Sequence, residues 1–152
     1  MKSLLLFSLS ILLISSCTPP AEPDPGPVIS AEVSQAVFDH HINAVLANDL
    51  DAILEDYSEE SILFTPDSTY TGLTQIRGFF EGLLPSFPTE GTNIEVDRLA
   101  VEQDAVFILW HGSTPTLDIP LGTDTFIIQD SIIILQSFAG VINPVEKEAE
   151  EE

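Results

Sequence analysis

The sequence predicts an α+β domain in which three helices precede a mostly antiparallel sheet. Apolar residues recur at helical spacing as far as Leu84, whereas the chain after Asn93 consists of β-rich segments joined by short polar turns. Hydrophobic residues make up 44% of the 152 residues, which is enough to form the buried core of one domain.

Capping residues and apolar spacing predict the three helices. Ser30 begins the first helix, which ends at the Asn48-Asp49 pair. Asp49 then caps a second, shorter helix that continues to Tyr57. The third helix covers residues 74–84 and ends where two prolines follow.

Five strands are predicted from β-rich composition and from the turns between them. They are Ser61–Thr65, Asn93–Glu102, Ala105–His111, Thr123–Gln129 and Ile132–Phe138. The last three strands are apolar at consecutive positions, whereas strands of a sheet with one wet face alternate between apolar and polar residues.

Apolar residues on both faces of the sheet predict a homodimer that packs through the convex face, away from the helices. Ile133 and Ile134 are candidate positions for a charge that would disrupt this interface. The alternative is a sheet that curls and buries both of its faces within one subunit.

The charge balance excludes several partners. Four Lys and Arg face 25 Asp and Glu, giving a net charge of −21, so a nucleic-acid partner is not expected. The single Cys excludes a disulfide framework and a cysteine-based zinc site. Glycine-rich phosphate loops, nucleophile elbows and EF-hand spacings do not occur, so we expect no cofactor and no metal.

The start of the chain has the pattern of a bacterial lipoprotein signal. Lys2 precedes the apolar run Leu4–Ile14, which is too short to span a bilayer. The four residues that end at Cys17 resemble the lipobox, which implies cleavage before Cys17 and its acylation. Thr18 after the cysteine implies the outer membrane of a Gram-negative cell envelope. An ordinary cleaved signal with an incidental cysteine is the alternative.

These features divide the chain into four segments. Residues 1–16 are the predicted signal peptide, and residues 17–29 form a proline-rich tether. Residues 30–144 form the folded domain, and residues 145–152 are a charged, acidic tail.

Three segments carry a resemblance to a known family. Ala47–Leu54, Gly72–Phe80 and Thr123–Asp130, in this order and spacing, resemble the SnoaL-like, or NTF2-like, cone fold. The resemblance implies a curved sheet wrapped around a long helix, with a conical and mostly apolar cavity between them. The fold hosts isomerases, dehydratases, epoxide hydrolases, cyclases and many non-enzymes, so it does not choose a function.

Ketosteroid isomerase, a relative in this fold, implies three site positions. Its catalytic Tyr corresponds to His41, its carboxylate base to Thr65 and its protonated Asp to Asp124. Because Thr65 cannot take up a proton at neutral pH, steroid isomerisation is not expected. His41 and Asp124 remain as a possible catalytic pair across the cavity, although His40 is an alternative inward residue and both members could be purely structural.

We therefore expect a membrane-tethered domain that binds a small apolar molecule without catalysis. Tyr57, Thr65, Trp110 and Phe126 are the candidate ligand-binding residues. The alternative function is a small-molecule lyase, isomerase or cyclase that uses the His–Asp pair.

Replacement of Cys17 tests the predicted lipid anchor. Cys17→Ala should either leave the precursor uncleaved or release the protein from the membrane fraction, because acyl chains hold a lipoprotein on the bilayer. Detergent partition and the mass of the processed protein measure both effects. Unchanged processing and unchanged partition would contradict the anchor.

Overall fold

The structure is a computed structural model that describes residues 26–145. Cys17, the predicted signal peptide and the acidic tail after residue 145 lie outside the described residues. The elements, in chain order, are α1 (Ala31–Ala47), α2 (Leu50–Glu55), β1 (Ile62–Phe64), β2 (Thr69–Thr71), α3 (Gly72–Leu83), a 3-10 turn (Leu84–Ser86), β3 (Asn93–Glu102), β4 (Ala105–Ser113), β5 (Leu117–Gln129) and β6 (Ile132–Pro144). No helix in this range combines the length and the apolar character needed to cross a membrane.

The six strands form one sheet in the order β2-β1-β6-β5-β4-β3. All neighbouring pairs are antiparallel except β1 and β6, which run parallel. Register shifts interrupt the pairing of β3 with β4, β4 with β5, and β5 with β6. Such bulges bend strands and increase their twist, so the sheet curves around the helices. The predicted α+β fold, with three helices and a mostly antiparallel sheet, is confirmed.

Local side-chain hydrogen bonds fix the start of the first two helices. The Ser30 hydroxyl accepts a bond from the Val33 N–H, and the Asp49 carboxylate accepts one from the Ala52 N–H. Asn48 ends α1 in the left-handed region, with φ of 59°. Both predicted caps and the predicted break between the helices are therefore present.

The observed strands differ most from the prediction at β2, β5 and β6. β5 begins at Leu117 and not at Thr123, because a bulge between Asp118 and Leu121 accommodates Pro120 within the strand. β6 continues beyond the predicted end as the partner of this extension. The short edge strand β2 was not predicted, since three residues carry little periodicity.

The two faces of the sheet differ in burial. Along β4, Val106, Ile108 and Trp110 are buried towards the helices, while the alternating Phe107 and Leu109 are half-buried on the outer face. On β6 the side chain of Ile133 is fully buried in the core. Ile133 was therefore a wrong choice as an interface position.

Candidate functional site

A cavity of about 110 Å³ lies between the helices and the inner face of the sheet. α1, α3 and strands β3 to β6 all contribute to its wall. The lining residues are His41, Ile42, Val45, Leu46, Phe79, Phe80, Leu83, Leu84, Phe87, Thr92, Ile94, Val96, Ile108, Trp110, Asp124, Phe126, Gln136, Phe138 and Ile142. Most of these side chains are apolar, so the cavity suits an apolar occupant.

The lining contains three large aliphatic side chains that are also exposed to solvent. Leu46 lies near the end of α1, Val96 near the start of β3 and Ile142 near the end of β6. We call these three residues the rim, because they mark the end of the cavity that opens to solvent. An exposed apolar rim presents no charged barrier to an apolar molecule.

A buried chain of hydrogen bonds forms the polar part of the cavity wall. The Tyr57 hydroxyl donates to Gln136 Oε1, and Gln136 Nε2 donates to Asp124 Oδ1 at 3.0 Å. Trp110 Nε1 donates to Asp124 Oδ2 at 2.9 Å. We call these four residues the Asp124 network. Each carboxylate oxygen of Asp124 accepts a bond within it, which satisfies a charge that would otherwise be costly to bury.

Gly122 permits the position of the Trp110 ring. A Cβ at residue 122 would lie 2.2 Å from the nearest indole carbon, well inside van der Waals contact. The two residues are paired across β4 and β5. A side chain at residue 122 would therefore displace the indole from the cavity wall and from Asp124.

Burial shifts the pKa of two groups in the Asp124 network. Loss of hydration raises the pKa of the Asp124 carboxyl above its ordinary value, against the opposing effects of its hydrogen bonds and of nearby His41. Burial also raises the pKa of the Tyr57 hydroxyl well above its usual range, and the carboxylates of Asp124 and Asp56 add to that effect. Tyr57 therefore acts as a hydrogen-bond donor at neutral pH.

His41 is paired with a different carboxylate from the one expected. His41 lines the cavity, and its Nδ1 lies 3.3 Å from Asp56 Oδ2. The other oxygen, Asp56 Oδ1, lies 2.8 Å from Nδ1 of His40, whose side chain is half-exposed. Within residues 26–145 no hydrogen bond joins His41 to Asp124, although both line the same cavity.

The pairing of His41 follows from the fold. Asp56 immediately follows α2, and α2 packs against α1, so its carboxylate lies between the two adjacent histidines. Sequence reasoning missed Asp56 because it is 15 residues from His41 and outside any motif. It also missed Gln136, although a lone amide after four apolar residues of β6 was a usable signal.

The other candidate residues have separate locations. Trp110 and Phe126 line the cavity as expected. Tyr57 is buried behind the lining, where its hydroxyl bonds to Gln136 and its ring packs against His41 and Phe80. Thr65 does not line the cavity, because it closes the turn after β1 through hydrogen bonds with Ser68. The placement of Thr65 in the ligand site was therefore wrong.

Two polar atoms of the lining have no protein partner. Thr92 Oγ1 is the one fully enclosed side-chain polar atom without a hydrogen bond in the described part of the chain. His41 Nε2 also makes no hydrogen bond within residues 26–145, and it is not fully enclosed. His41 Nε2 can therefore bind a polar group of a ligand or a water molecule, whereas Thr92 Oγ1 is closed off from the cavity. Over the same residues, no three His, Cys, Asp or Glu side chains form a potential metal site.

Replacement of Asp124 by Asn should reduce the dependence of stability on pH. Because its pKa is raised in the folded state, the Asp124 carboxyl binds a proton more tightly there than in the unfolded chain. The stabilisation that results is present at low pH and is lost as the pH rises through the folded pKa. The wild type should therefore lose stability relative to Asp124→Asn as the pH rises from the ordinary carboxyl pKa near 3.8 through the raised pKa of the folded state.

Urea denaturation at several pH values measures this difference. The free energy of unfolding of the wild type, relative to that of Asp124→Asn, should fall steadily as the pH rises. Asp67→Asn, in an exposed turn, is the control and should follow the wild type at every pH. A constant difference between wild type and Asp124→Asn across the range would contradict the buried, proton-binding carboxyl.

Similarity to known proteins agrees with this architecture. The profile of the SnoaL-like domain family matches residues 38–130, which is more than half of the chain. No curated protein matches the sequence significantly. Many solved structures share the fold.

Three of these structures illustrate the range of the fold. A SnoaL-like protein of unknown function from Burkholderia thailandensis is 20% identical, with a TM-score of 0.60 over 76% of this chain and 99% of that one. A putative ketosteroid isomerase from Kribbella flavida is 13% identical, with a TM-score of 0.60 over 80% and 84%. The epoxide hydrolase/cyclase-like enzyme SalBIII of salinomycin pyran ring formation is 18% identical, with a TM-score of 0.62 over 75% and 97%. The chain belongs to the SnoaL-like domain family and has the NTF2-like fold.

Proposed function

We propose that this domain is a ligand-binding module of the cell envelope, tethered to the membrane through Cys17, that holds a small apolar molecule in its cavity without catalysis. The observation that carries the proposal is the Asp124 network. Its carboxylate, amide and indole bond to one another, so they do not present a free acid or base to the cavity. The remaining wall is almost entirely apolar.

The volume of the cavity limits the size of the ligand. An apolar protein cavity of about 150 Å³ holds one benzene molecule. At about 110 Å³ this cavity is smaller, so one ring or a short branched chain would fill it and further atoms would lie towards the open rim. A steroid is much larger, which agrees with the absence of a proton acceptor at Thr65.

The point where the tether meets the domain supports entry of the ligand from the side away from the membrane. Val28 N donates to Asp130 Oδ1 at 2.7 Å, and Asp130 N donates to Val28 O at 3.2 Å. These bonds hold residues before α1 at the β5–β6 turn. The rim lies near the other end of α1, about 25 Å away along a helix of 17 residues.

An enzyme of lyase, isomerase or cyclase type is the second candidate function. The contact that favours it is His41 with Asp56, since a histidine oriented by a carboxylate is a common general base. The catalytic candidate is then the His41–Asp56 pair, and no longer the His41–Asp124 pair expected from the sequence. The domain would then need a substrate whose reacting proton lies against His41 Nε2.

The outer face of the sheet supports a homodimer as the assembly of this module. Phe107, Leu109 and Ile127 are half-buried on that face, and Phe64 on β1 is 40% exposed on the same face. A second copy would cover these apolar side chains. The Arg98 guanidinium lies over the Phe107 ring, 5.6 Å from its centroid, and belongs to the same surface.

A charge on the outer face tests the dimer. Ile127→Glu should yield monomers, because its cross-strand neighbours Ala105 and Leu135 offer no cation and the carboxylate would be buried without a partner. Leu99→Glu is the matched control: Leu99 is exposed on the edge strand β3 and is paired with Ile108, which faces the cavity. Light scattering distinguishes the states, and a monomeric wild type would contradict the proposal.

A bulkier residue in the wall tests the cavity as a ligand site. Val45→Phe places a larger side chain in the cavity and should weaken toluene binding at least about tenfold. Val33→Phe makes the same change on the same helix outside the lining and should retain binding. Fluorescence of the single tryptophan, Trp110, measures binding at the cavity wall.

Circular dichroism establishes that both variants are folded. Equal toluene affinity in Val45→Phe and wild type would place binding elsewhere and contradict the proposed site. A wild type that does not bind toluene or other molecules of its size would contradict the proposed function.

A further inference from the structure

We infer that the ligand is an uncharged molecule with a hydroxyl group, of the alcohol or phenol class, and that its hydroxyl donates a hydrogen bond to His41 Nε2. This inference rests on the proposed ligand-binding function and adds the chemical class of the ligand. It follows from the protonation pattern around Asp56 and from the absence of cationic side chains in the lining.

The two histidines on Asp56 fix the tautomer of His41. An ionised carboxylate accepts hydrogen bonds and cannot donate them. Nδ1 of His40 and Nδ1 of His41 each contact a different oxygen of Asp56, so both nitrogens carry hydrogen. In a neutral imidazole with hydrogen on Nδ1, Nε2 has a free lone pair. His41 Nε2 is therefore a hydrogen-bond acceptor.

The surroundings of His41 leave Nε2 available. Its side chain is 3% exposed and lies among aromatic rings, with centroids 5.5 Å from Tyr57, 5.9 Å from Phe80 and 5.6 Å from Phe126. Nε2 has no hydrogen-bond partner within residues 26–145, whereas both oxygens of Asp124 are already bonded.

Anionic ligands do not fit this cavity. Its lining contains no Lys and no Arg within the described range. Of the arginines there, Arg77 lies 3.2 Å from Asp51, and Arg98 lies over Phe107 on the outer face. A carboxylate or phosphate has only acceptor atoms, so it would meet the lone pair of His41 Nε2 without a compensating cation.

Cationic ligands are disfavoured for a different reason. An ammonium group has three donors that are hydrated in water. Among the side chains of the described lining, His41 Nε2 is the accessible free acceptor, because the Asp124 network uses its own oxygens internally and Thr92 Oγ1 is fully enclosed. A hydroxyl has a single donor, which one acceptor satisfies, and its oxygen can accept from water.

Phenol and toluene form a matched pair of probes, since both are single rings with seven heavy atoms. Affinities for both are measured in wild type, in His41→Leu and in His40→Gln. His41→Leu should weaken phenol binding about tenfold, the value of one hydrogen bond, and should change toluene binding less than about threefold. His40→Gln, outside the lining, should leave the ratio of the two affinities unchanged.

The outcomes separate this inference from the proposed function. If wild type binds toluene and His41→Leu binds phenol as well as wild type does, the inference is wrong and the cavity remains a ligand site. If wild type binds benzoate more tightly than phenol, the inference is also wrong. If wild type binds none of the three probes, both the inference and the proposed function fail.

A measurement on wild type covers the case in which His41→Leu does not fold. The ¹⁵N resonance of His41 Nε2 reports hydrogen bonds to its lone pair. Phenol should shift this resonance in a saturable way, and toluene should shift it much less. An Nε2 resonance that responds equally to both probes would overturn the inference.

Discussion

The pair of hydrogen bonds that Asp124 accepts is the constraint on which the site depends. Trp110 on β4 and Gln136 on β6 both donate to this carboxylate on β5, so three neighbouring strands are linked through one buried group. Loss of either donor would leave a buried carboxylate oxygen unsatisfied, which is costly in an apolar core. The position of the indole, the space reserved by Gly122 and the burial of Tyr57 all follow from this arrangement.

The Asp124 network also determines what the cavity offers to a ligand. Because its polar atoms bond to one another, they leave the wall apolar in spite of an acidic residue within it. Relatives with this fold include proteins described as isomerase-like and cyclase-like, in addition to many of unknown function. Among the side chains of the described lining, His41 Nε2 is the accessible polar atom left without a partner.

Much of the fold was predictable because its signals are local. Ser30 and Asp49 cap their helices through hydrogen bonds to residues three positions ahead. The β-rich composition of Asn93–Glu102 predicted both ends of β3. The resemblance also placed His41 and Asp124 in one cavity. The partner of each was not predictable, because Asp56 and Gln136 reach them through packing between separate elements. The expected position of Thr65 in the cavity was wrong. Thr65 follows β1 directly and so has the sequence position of a site residue, but its hydroxyl bonds to the backbone of Ser68 within the turn.

The central claim is that the cavity beside the intact Asp124 network binds a small apolar molecule. The NMR resonance of the indole N–H of Trp110, the single tryptophan, tests this claim most directly. Trp110 lies on the cavity wall, and its indole N–H donates to Asp124. We expect its NMR resonance to exchange slowly with water and to shift in a saturable way as toluene is added, with slow exchange retained. A resonance that exchanges rapidly, or that does not move with toluene, would contradict the account.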